Sequence, residues 1–419
     1  MLFFKECRKI LFSLTFLIYL VAVVGFYFTQ FHEDCKEELS KPVQGLMDYG
    51  TVSKEVPEIL MERATDELVT EYLKGYYTAY PIGFIKKVKL SEKKSTQIAE
   101  IITEISGISK QELDDFSDFD SGGMTMIPDG NGGYIPVVEK PNIPEIRMPD
   151  TMTYEHFREL MRKADKIIGG GSKYCDDFIV DNFSRVSRTY EDALSDYNDI
   201  FEKDKITGAY ARLFCDYMGI IVSVLPVFAA AALVNADRKS RMEHLIYSRK
   251  ISSAKLLLTR FSALATILSI PVIVLAFVAS FSISGLYTQN STDFFAIPKM
   301  SIGWLIPNIL FSTALGMALT EILSQLVAVL VQGVMWFASV MNISNGLIGS
   351  IGRFTLVCRH NSLYDRDIFM ENFNQFLFSR IFYTVLAIVI MTITIWIYSE
   401  KRKGGFNVNR KNIIRKSEA

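Results

Sequence analysis

The sequence predicts an α-helical membrane protein with six transmembrane helices, one followed by five, and a mainly α (α+β) extracytoplasmic domain inserted after the first helix. Three observations carry this. One apolar span opens the chain, Leu11 to Phe28; every other apolar run follows Leu213; and an acidic stretch of roughly 180 residues lies between them. Although 49% of the 419 residues are hydrophobic, the formal net charge is only −1, an average over two unlike parts. Between Phe31 and Arg212 there are about 35 Asp and Glu against about 23 Lys and Arg, whereas Asn235 to Arg260 carries about seven bases against two acids.

A helix needs about 20 residues to cross about 30 Å of hydrocarbon. After the first span, five runs meet that length: Leu213 to Val234, Phe261 to Leu286, Ile302 to Thr320, Ile322 to Met341 and Ile381 to Tyr398. The third and fourth are continuous in hydropathy, but Thr320, Glu321, Ser324 and Gln325 interrupt them, which predicts two spans joined by a tight turn. Lys5, Arg8 and Lys9 precede the first span, and six crossings return Lys401, Arg402 and Lys403 to the same side, so both termini are expected in the cytoplasm of a plasma-membrane protein. Arg353, Arg359, Arg366 and Arg380 in the last outer loop run against that rule, and Asp365, Asp367 and Glu371 are their expected partners. A cleaved signal peptide would also start with bases and an apolar core. Here the core is of span length, and Phe26 to Phe31 is bulky where cleavage needs small residues, so an uncleaved anchor is expected.

The organisation expected is therefore a cytoplasmic segment and first helix (1–30), an extracytoplasmic domain (31–212), a five-helix bundle (213–404) with an inner loop at 235–260 and an outer loop at 342–379, and a basic cytoplasmic tail (405–419). Five cysteines, Cys7, Cys35, Cys175, Cys215 and Cys358, are too few and too irregular for a disulfide framework; Cys35 has both Cys175 and Cys215 as candidate partners.

Within the outer domain, helical periodicity covers Pro57 to Tyr77 and Glu92 to Ile105, the latter after a Ser91 cap. Ser109 with Glu112 forms a capping-box pattern, Thr153 precedes a helix over Tyr154 to Ile168 that Gly169 to Gly171 ends, and Thr189 opens another helix through Phe201. Asp129-Gly130-Asn131-Gly132-Gly133, between Met124 to Ile127 and Tyr134 to Val138, predicts a hairpin. Asp114, Asp115, Asp118, Asp120, Asp129 and Asn131 invite a calcium reading, but the loop spacing and its terminal Glu are missing, so a solvated acidic face is the better assignment. No glycine pattern of a nucleophile elbow surrounds any Ser, and His156 falls mid-helix among charges, so there is no catalytic set to name. No metal cluster is expected either, since no CxxC occurs and the four His are scattered.

Polar residues within the spans are few: Asn308, Gln332, and at the borders Glu321 and Asp216. Intramembrane polar groups are often functional, and Gln332 fits that reading and a bond to a neighbouring helix equally; Arg212 and Asp216 form an i, i+4 pair, and Pro226, Pro271 and Pro307 are expected to bend their helices.

The inner loop, Asn235 to Phe261, reads as a basic capped helix with Met242, Leu245 and Ile246 on a small apolar face, then a Ser-rich turn and a second basic helix entering the membrane. Positive charge alone would serve as an anchor; an apolar tip suits docking into a groove on a soluble partner. Arg238, Glu243, Tyr247, Ser248, Arg249 and Ser252, with Arg359-His360-Asn361-Ser362, Arg380 and the closing run Tyr398 to Gly404, resemble the permeases of the ABC-2 family, the exporter-type membrane subunits of ATP-binding-cassette transporters. The resemblance covers Leu213 to Gly404 and leaves the outer domain unmatched. It implies that the inner loop is a coupling helix, with Arg238, Arg241, Met242, Glu243, Leu245, Ile246, Tyr247, Ser248 and Arg249 facing an ATPase subunit. It implies a transport subunit rather than an enzyme, with ATP and Mg on that separate chain, since no GxxxxGK[ST] occurs and Gly169-Gly170-Gly171-Ser172-Lys173 is misspaced. A second permease subunit, homodimeric or heterodimeric, and membrane lipid are the other implied partners; nucleic acid is not. The outer loop would supply short re-entrant helices, and the substrate would be amphipathic, lipidic or a peptide. A competing expectation is a non-transporting envelope receptor or scaffold, similar to phage-infection proteins, which share one span, a large outer domain and a terminal bundle.

Overall fold

The computed structural model describes the chain except for residues 1, 46–47, 80–85, 117–118, 121–123, 129–133, 139–140, 150, 240–246, 249, 289, 342–351 and 404–419. It is mostly helical. Among the described residues, five helices are long and apolar enough to cross a membrane: Leu14–Phe31, Thr207–Ala236, Ser253–Leu286, Ala296–Ile322 and Phe373–Arg402. A region of helices and short strands separates the first from the rest. Helices of that length satisfy their own backbone in hydrocarbon, and the chain is therefore a multi-pass membrane protein. It divides into two compact units, one built from Met1–Pro42, Glu191–Val340 and the C-terminal part, the other from Val43–Tyr190.

The opening apolar stretch is not a single helix. It contains the end of α1 (Leu2–Leu11) and then α2 (Leu14–Phe26), which a π-helical turn over Tyr27–Phe31 extends. Ser13 makes the break: its hydroxyl donates to the Ile10 carbonyl (2.7 Å) and accepts from the Phe16 amide (3.2 Å), capping the new helix.

The polar unit consists of β1 (Thr51–Ser53), α3 (Pro57–Lys74), β2 (Tyr77–Ala79), β3 (Lys86–Val88), α4 (Glu92–Ser106), α5 (Lys110–Asp114), β4 (Met124–Pro128), β5 (Tyr134–Val138), α6 (Tyr154–Ile168), α7 (Ile179–Phe183) and β6 (Arg185–Ser187). The strands form three antiparallel pairs, β1 with β6, β2 with β3, and the expected hairpin β4 with β5. Leu60, Leu68, Ile98, Ile102, Phe157 and Tyr174 form a fully buried core, the apolar stripes of α3, α4 and α6 turned inward. The capping box is made as the sequence predicts, with Ser109 accepting from the Glu112 amide and Glu112 from the Ser109 amide. Thr153 caps α6, and Gly75, Gly107 and Gly169 end their helices at positive φ, where a Cβ would be strained. Glu71 is buried, accepting from the Thr78 amide (2.8 Å) and the Tyr174 hydroxyl (2.7 Å), and burial pushes its carboxyl above the ordinary carboxylate range. Of the acids in the calcium reading, Asp114 is held by Lys110 (2.6 Å) and Tyr72 (2.7 Å), whereas Asp118, Asp129 and Asn131 lie outside the described residues.

The membrane unit continues with α8 (Tyr190–Glu202), α9 (Thr207–Val222), α10 (Pro226–Lys239), α11 (Ser253–Leu286), α12 (Ala296–Trp304), α13 (Ile306–Ile322), α14 (Gln325–Val340), α15 (Arg366–Glu371) and α16 (Phe373–Arg402). The tight turn falls at Leu323 and Ser324, between α13 and α14, as the polar interruption predicts. Helix α13 is central, packing against α10, α11, α14 and α16. Gly316 permits this contact: a Cβ there would lie 3.0 Å from that of Ala230 and 3.1 Å from the Val227 carbonyl. Pro226 and Pro307 follow short interruptions of the regular helix, at 223–225 and at Leu305, within the spans Thr207–Ala236 and Ala296–Ile322, while Pro271 lies within the uninterrupted α11. Val274, Phe281, Val334, Ile388 and Trp396 point outward, an apolar surface for hydrocarbon to cover. All five cysteines are free thiols, so neither candidate disulfide is made.

Candidate functional site

Two clusters of polar side chains organise the membrane unit. The first gathers where the 235–260 loop leaves and rejoins the bundle. Arg238 lies in the last turn of α10; Arg241, Met242, Glu243, Leu245, Ile246 and Arg249 lie outside the described residues, and Tyr247 and Ser248 are described on the return. At the exit, the Asn235 amide donates to Gln325 at the start of α14 (2.7 Å). At the return, the Tyr247 ring meets that of Tyr398 edge-on with centroids 5.5 Å apart. Arg402, in the last turn of α16, donates to the carbonyls of Tyr247 (2.9 Å) and Ile251. Ser252 then caps α11, accepting from the Lys255 amide (3.2 Å). The turn between α13 and α14 joins the same assembly, since Lys401 pairs with the buried Glu321 (3.1 Å). The basic tail of α16 thus fastens both the loop return and the α13 end. Its positive charge suits the negative end of the α16 dipole, which favours Lys and Arg in a last turn.

The second cluster surrounds the break between α9 and α10. A helix broken at membrane depth frees carbonyls that hydrocarbon cannot satisfy. Side chains of α14 supply the donors: Trp336 to the Ile220 carbonyl (2.8 Å) and Gln332 to that of Ser223. Gln332 is therefore a bond to a neighbouring helix, the second of its two expected readings. The Ser223 hydroxyl donates to the Gly219 carbonyl (2.6 Å) and accepts from Asn308 (2.7 Å), whose own amide oxygen accepts from Arg380.

Arg380 is 3% exposed and meets carbonyls rather than carboxylates. Its guanidinium donates to the carbonyls of Trp304 (3.1 Å), Thr355 (3.0 Å) and Leu356 (2.8 Å). Trp304 ends α12, so the cation sits at the negative end of a helix dipole while holding the segment that leads to α15. Ser339 and Tyr383 add bonds to the Leu356 amide (3.1 Å) and the Phe354 carbonyl (2.8 Å).

The rest of that segment is anchored by Asp216, which accepts from the amides of His360 (3.0 Å) and Asn361 (2.7 Å). This corrects the i, i+4 expectation, because the carboxylate partner of Arg212 is Asp204 (2.7 Å) and Asp216 is engaged by backbone. The pairing expected for the arginines of residues 342–380 is made in part, between Arg366 and Asp367. Arg366 reaches Asp204 (3.0 Å), far along the sequence, more closely than Asp367 (3.8 Å), and Arg359 bonds Asn361 (3.1 Å). Of the short helices expected in this loop, α15 is described, and 342–351 lie outside the described residues.

His360 is fully buried, with Nε2 bonded to the Tyr364 carbonyl (3.0 Å) and the ring edge-on to Phe369. Burial, and to a smaller degree the nearby Arg212, hold its pKa below the ordinary 6.5. A base with a depressed folded-state pKa stabilises above its unfolded value and loses that contribution as pH falls. The amides of residues 352–365 should therefore lose protection against hydrogen exchange as pH drops below 6.5, after correction for the intrinsic rate. His360→Gln should flatten that dependence; an unchanged profile in the variant would assign it to another group.

Among the described residues, no group of three or more His, Cys, Asp or Glu is placed to hold a metal ion. What the two clusters do is mechanical. They tie an interrupted helix, the segment 352–365 and the return of the 235–260 loop to the last helix of the bundle. Sequence named Tyr398, Arg380, Gln332, Arg402 and Asn235 without their partners, while Ser223 and Trp336 gave no signal beyond their polarity. Compared with known proteins, the chain matches no family model, no curated protein and no solved structure.

Proposed function

We propose that the chain is the membrane subunit of an ATP-driven exporter of the ABC-2 permease type. A separate ATPase subunit, carrying ATP and Mg, would dock on the 235–260 loop through Arg238, Arg241, Met242, Glu243, Leu245, Ile246, Tyr247, Ser248 and Arg249. A second permease subunit would complete the pathway for an amphipathic, lipidic or peptide substrate. The observation that carries this reading is the fastening of the loop return to α16 by Arg402 and Tyr398. A push on the loop has a direct route into the last helix. Through Arg380 that helix holds the broken α12/α13 junction and the outer segment.

In this reading α14 is the sixth crossing. Its 16 residues span about 24 Å, short of the hydrocarbon thickness, and Leu323 with Ser324 brings it back along α13. Six crossings place both termini and the loop in the cytoplasm and the Val43–Tyr190 unit outside, in agreement with the bases of α1 and of the α16 tail.

Affinity purification of the full chain from its native membrane should bring down an ATPase. Combined Met242→Ala, Glu243→Ala and Leu245→Ala should weaken that capture by about tenfold or more, with thermal stability of the chain unchanged. Undiminished capture would remove the coupling assignment. Absence of any ATPase from the wild-type purification would favour the envelope receptor or scaffold instead.

A further inference from the structure

We infer that α1 lies in the membrane surface and binds the anionic headgroups of phospholipids. The helix is separate from the span that follows, because Ser13 ends it and restarts the chain as α2. It packs on α11 through Glu6 and Ile10, both buried. Glu6 faces Arg260 at 3.5 Å, two turns into α11 and soon after the return of the 235–260 loop.

At about 100° per residue, the remaining surface of α1 falls into two flanks. One carries Phe4 and Leu11, which are 75% and 47% exposed, and leads into Phe12 at 78%. The other carries Lys5 and Lys9, with Arg8 between the flanks and opposite the buried face; all three are exposed. Lys5 and Arg8 have no carboxylate partner among the described residues.

A multi-pass protein has hydrocarbon beside it, and exposed phenylalanine next to exposed lysine on one short helix fits the boundary between tails and headgroups. Phe12 and Leu14, which follow α1 in the chain, are exposed as well, as are Leu17, Ile18 and Val21 on α2, an apolar surface for hydrocarbon to cover. The basic flank complements phosphate rather than a neutral surface. Lys5 and Arg8 near a membrane surface give a preference of about 30-fold for anionic over zwitterionic lipid, screened by salt.

The test uses the full chain in nanodiscs of phosphatidylcholine alone, or mixed with phosphatidylglycerol, and reads amide hydrogen exchange over residues 2–11. Phosphatidylglycerol should slow exchange of α1, and added salt should reverse the effect. Combined Lys5→Gln, Arg8→Gln and Lys9→Gln should abolish it, with α2 and α11 exchanging as in the wild type, which shows that the bundle is intact. Removing equal charge from the polar unit by Lys54→Gln, Lys87→Gln and Lys94→Gln should leave the lipid effect in place. Equal protection in both lipids, or protection that survives the α1 substitutions, overturns the proposal. Protection in neutral lipid that grows with the number of chains per disc also overturns it, and assigns the face to a second copy.

Discussion

Arg380→Ala should destabilise the membrane unit by about 3–4 kcal/mol, lowering its unfolding temperature in detergent by about 10 °C, and should expose residues 352–365 to protease. The magnitude follows from what the guanidinium does. It bonds the carbonyls of Trp304, Thr355 and Leu356 and the side chain of Asn308. Within a membrane bundle each such bond contributes on the order of 1 kcal/mol, and their loss leaves buried acceptors facing hydrocarbon. The effect should reach past residues 352–365, because Asn308 also bonds the Ser223 hydroxyl at the interruption between α9 and α10. Arg380→Lys should recover only part of the loss. An ammonium keeps the charge at the end of α12, but it lacks the planar fork that reaches acceptors on three elements at once. Wild-type unfolding temperature and protease resistance in Arg380→Ala would mean that Ser339 and Tyr383 suffice to hold the segment.

How much of this was legible in the sequence depends on the distance over which each feature is decided. Caps and turns are local decisions, so Ser109 with Glu112, Thr153, the hairpin between Met124 and Val138 and the α13/α14 turn could be read directly. Pro226 announced a disturbance by lacking an amide proton, but whether the chain bends or breaks there depends on available donors. Those donors, Gln332 and Trp336, are more than a hundred residues away. The same limit hid the partners of Arg212 and Arg366, since Asp204 competes with acids that are nearer in sequence. The split of the opening stretch into α1 and α2 was hidden for another reason. Hydropathy measures apolar content, and one serine between Phe12 and Leu14 scarcely changes it, although its hydroxyl can cap a new helix. Strands of three residues such as β1 and β6 carry too little periodicity to register, and their pairing is a tertiary choice.

Arg402→Ala should separate docking from transmission. Arg402 bonds the carbonyls of Tyr247 and Ile251, on the return side of the loop, and the substitution leaves the proposed docking side chains of Met242, Glu243 and Leu245 in the sequence. An ATPase that co-purifies with the wild-type chain should therefore still co-purify with the variant. What should be lost is the response of α16. In the proposed complex, trapping the ATPase with ATP and vanadate should change amide exchange across Phe373–Arg402, because a nucleotide-driven displacement of the loop would reach this helix through two charge-assisted bonds. Bonds of that kind contribute about 1.5–3 kcal/mol each, comparable with the 1–3 kcal/mol of a typical coupling free energy. Their removal should reduce the nucleotide-dependent change at least about fivefold. Tyr398→Ala, which removes the ring contact with Tyr247 but leaves the Arg402 bonds, should retain part of the response. Equal nucleotide-dependent exchange in wild type and Arg402→Ala would place transmission elsewhere, such as the Asn235 contact to Gln325 on the α10 side. The order of these effects matters more than their size. Loss of capture in Arg402→Ala would make the arginine part of the docking surface, whereas capture without response makes it the joint through which the loop acts on the bundle.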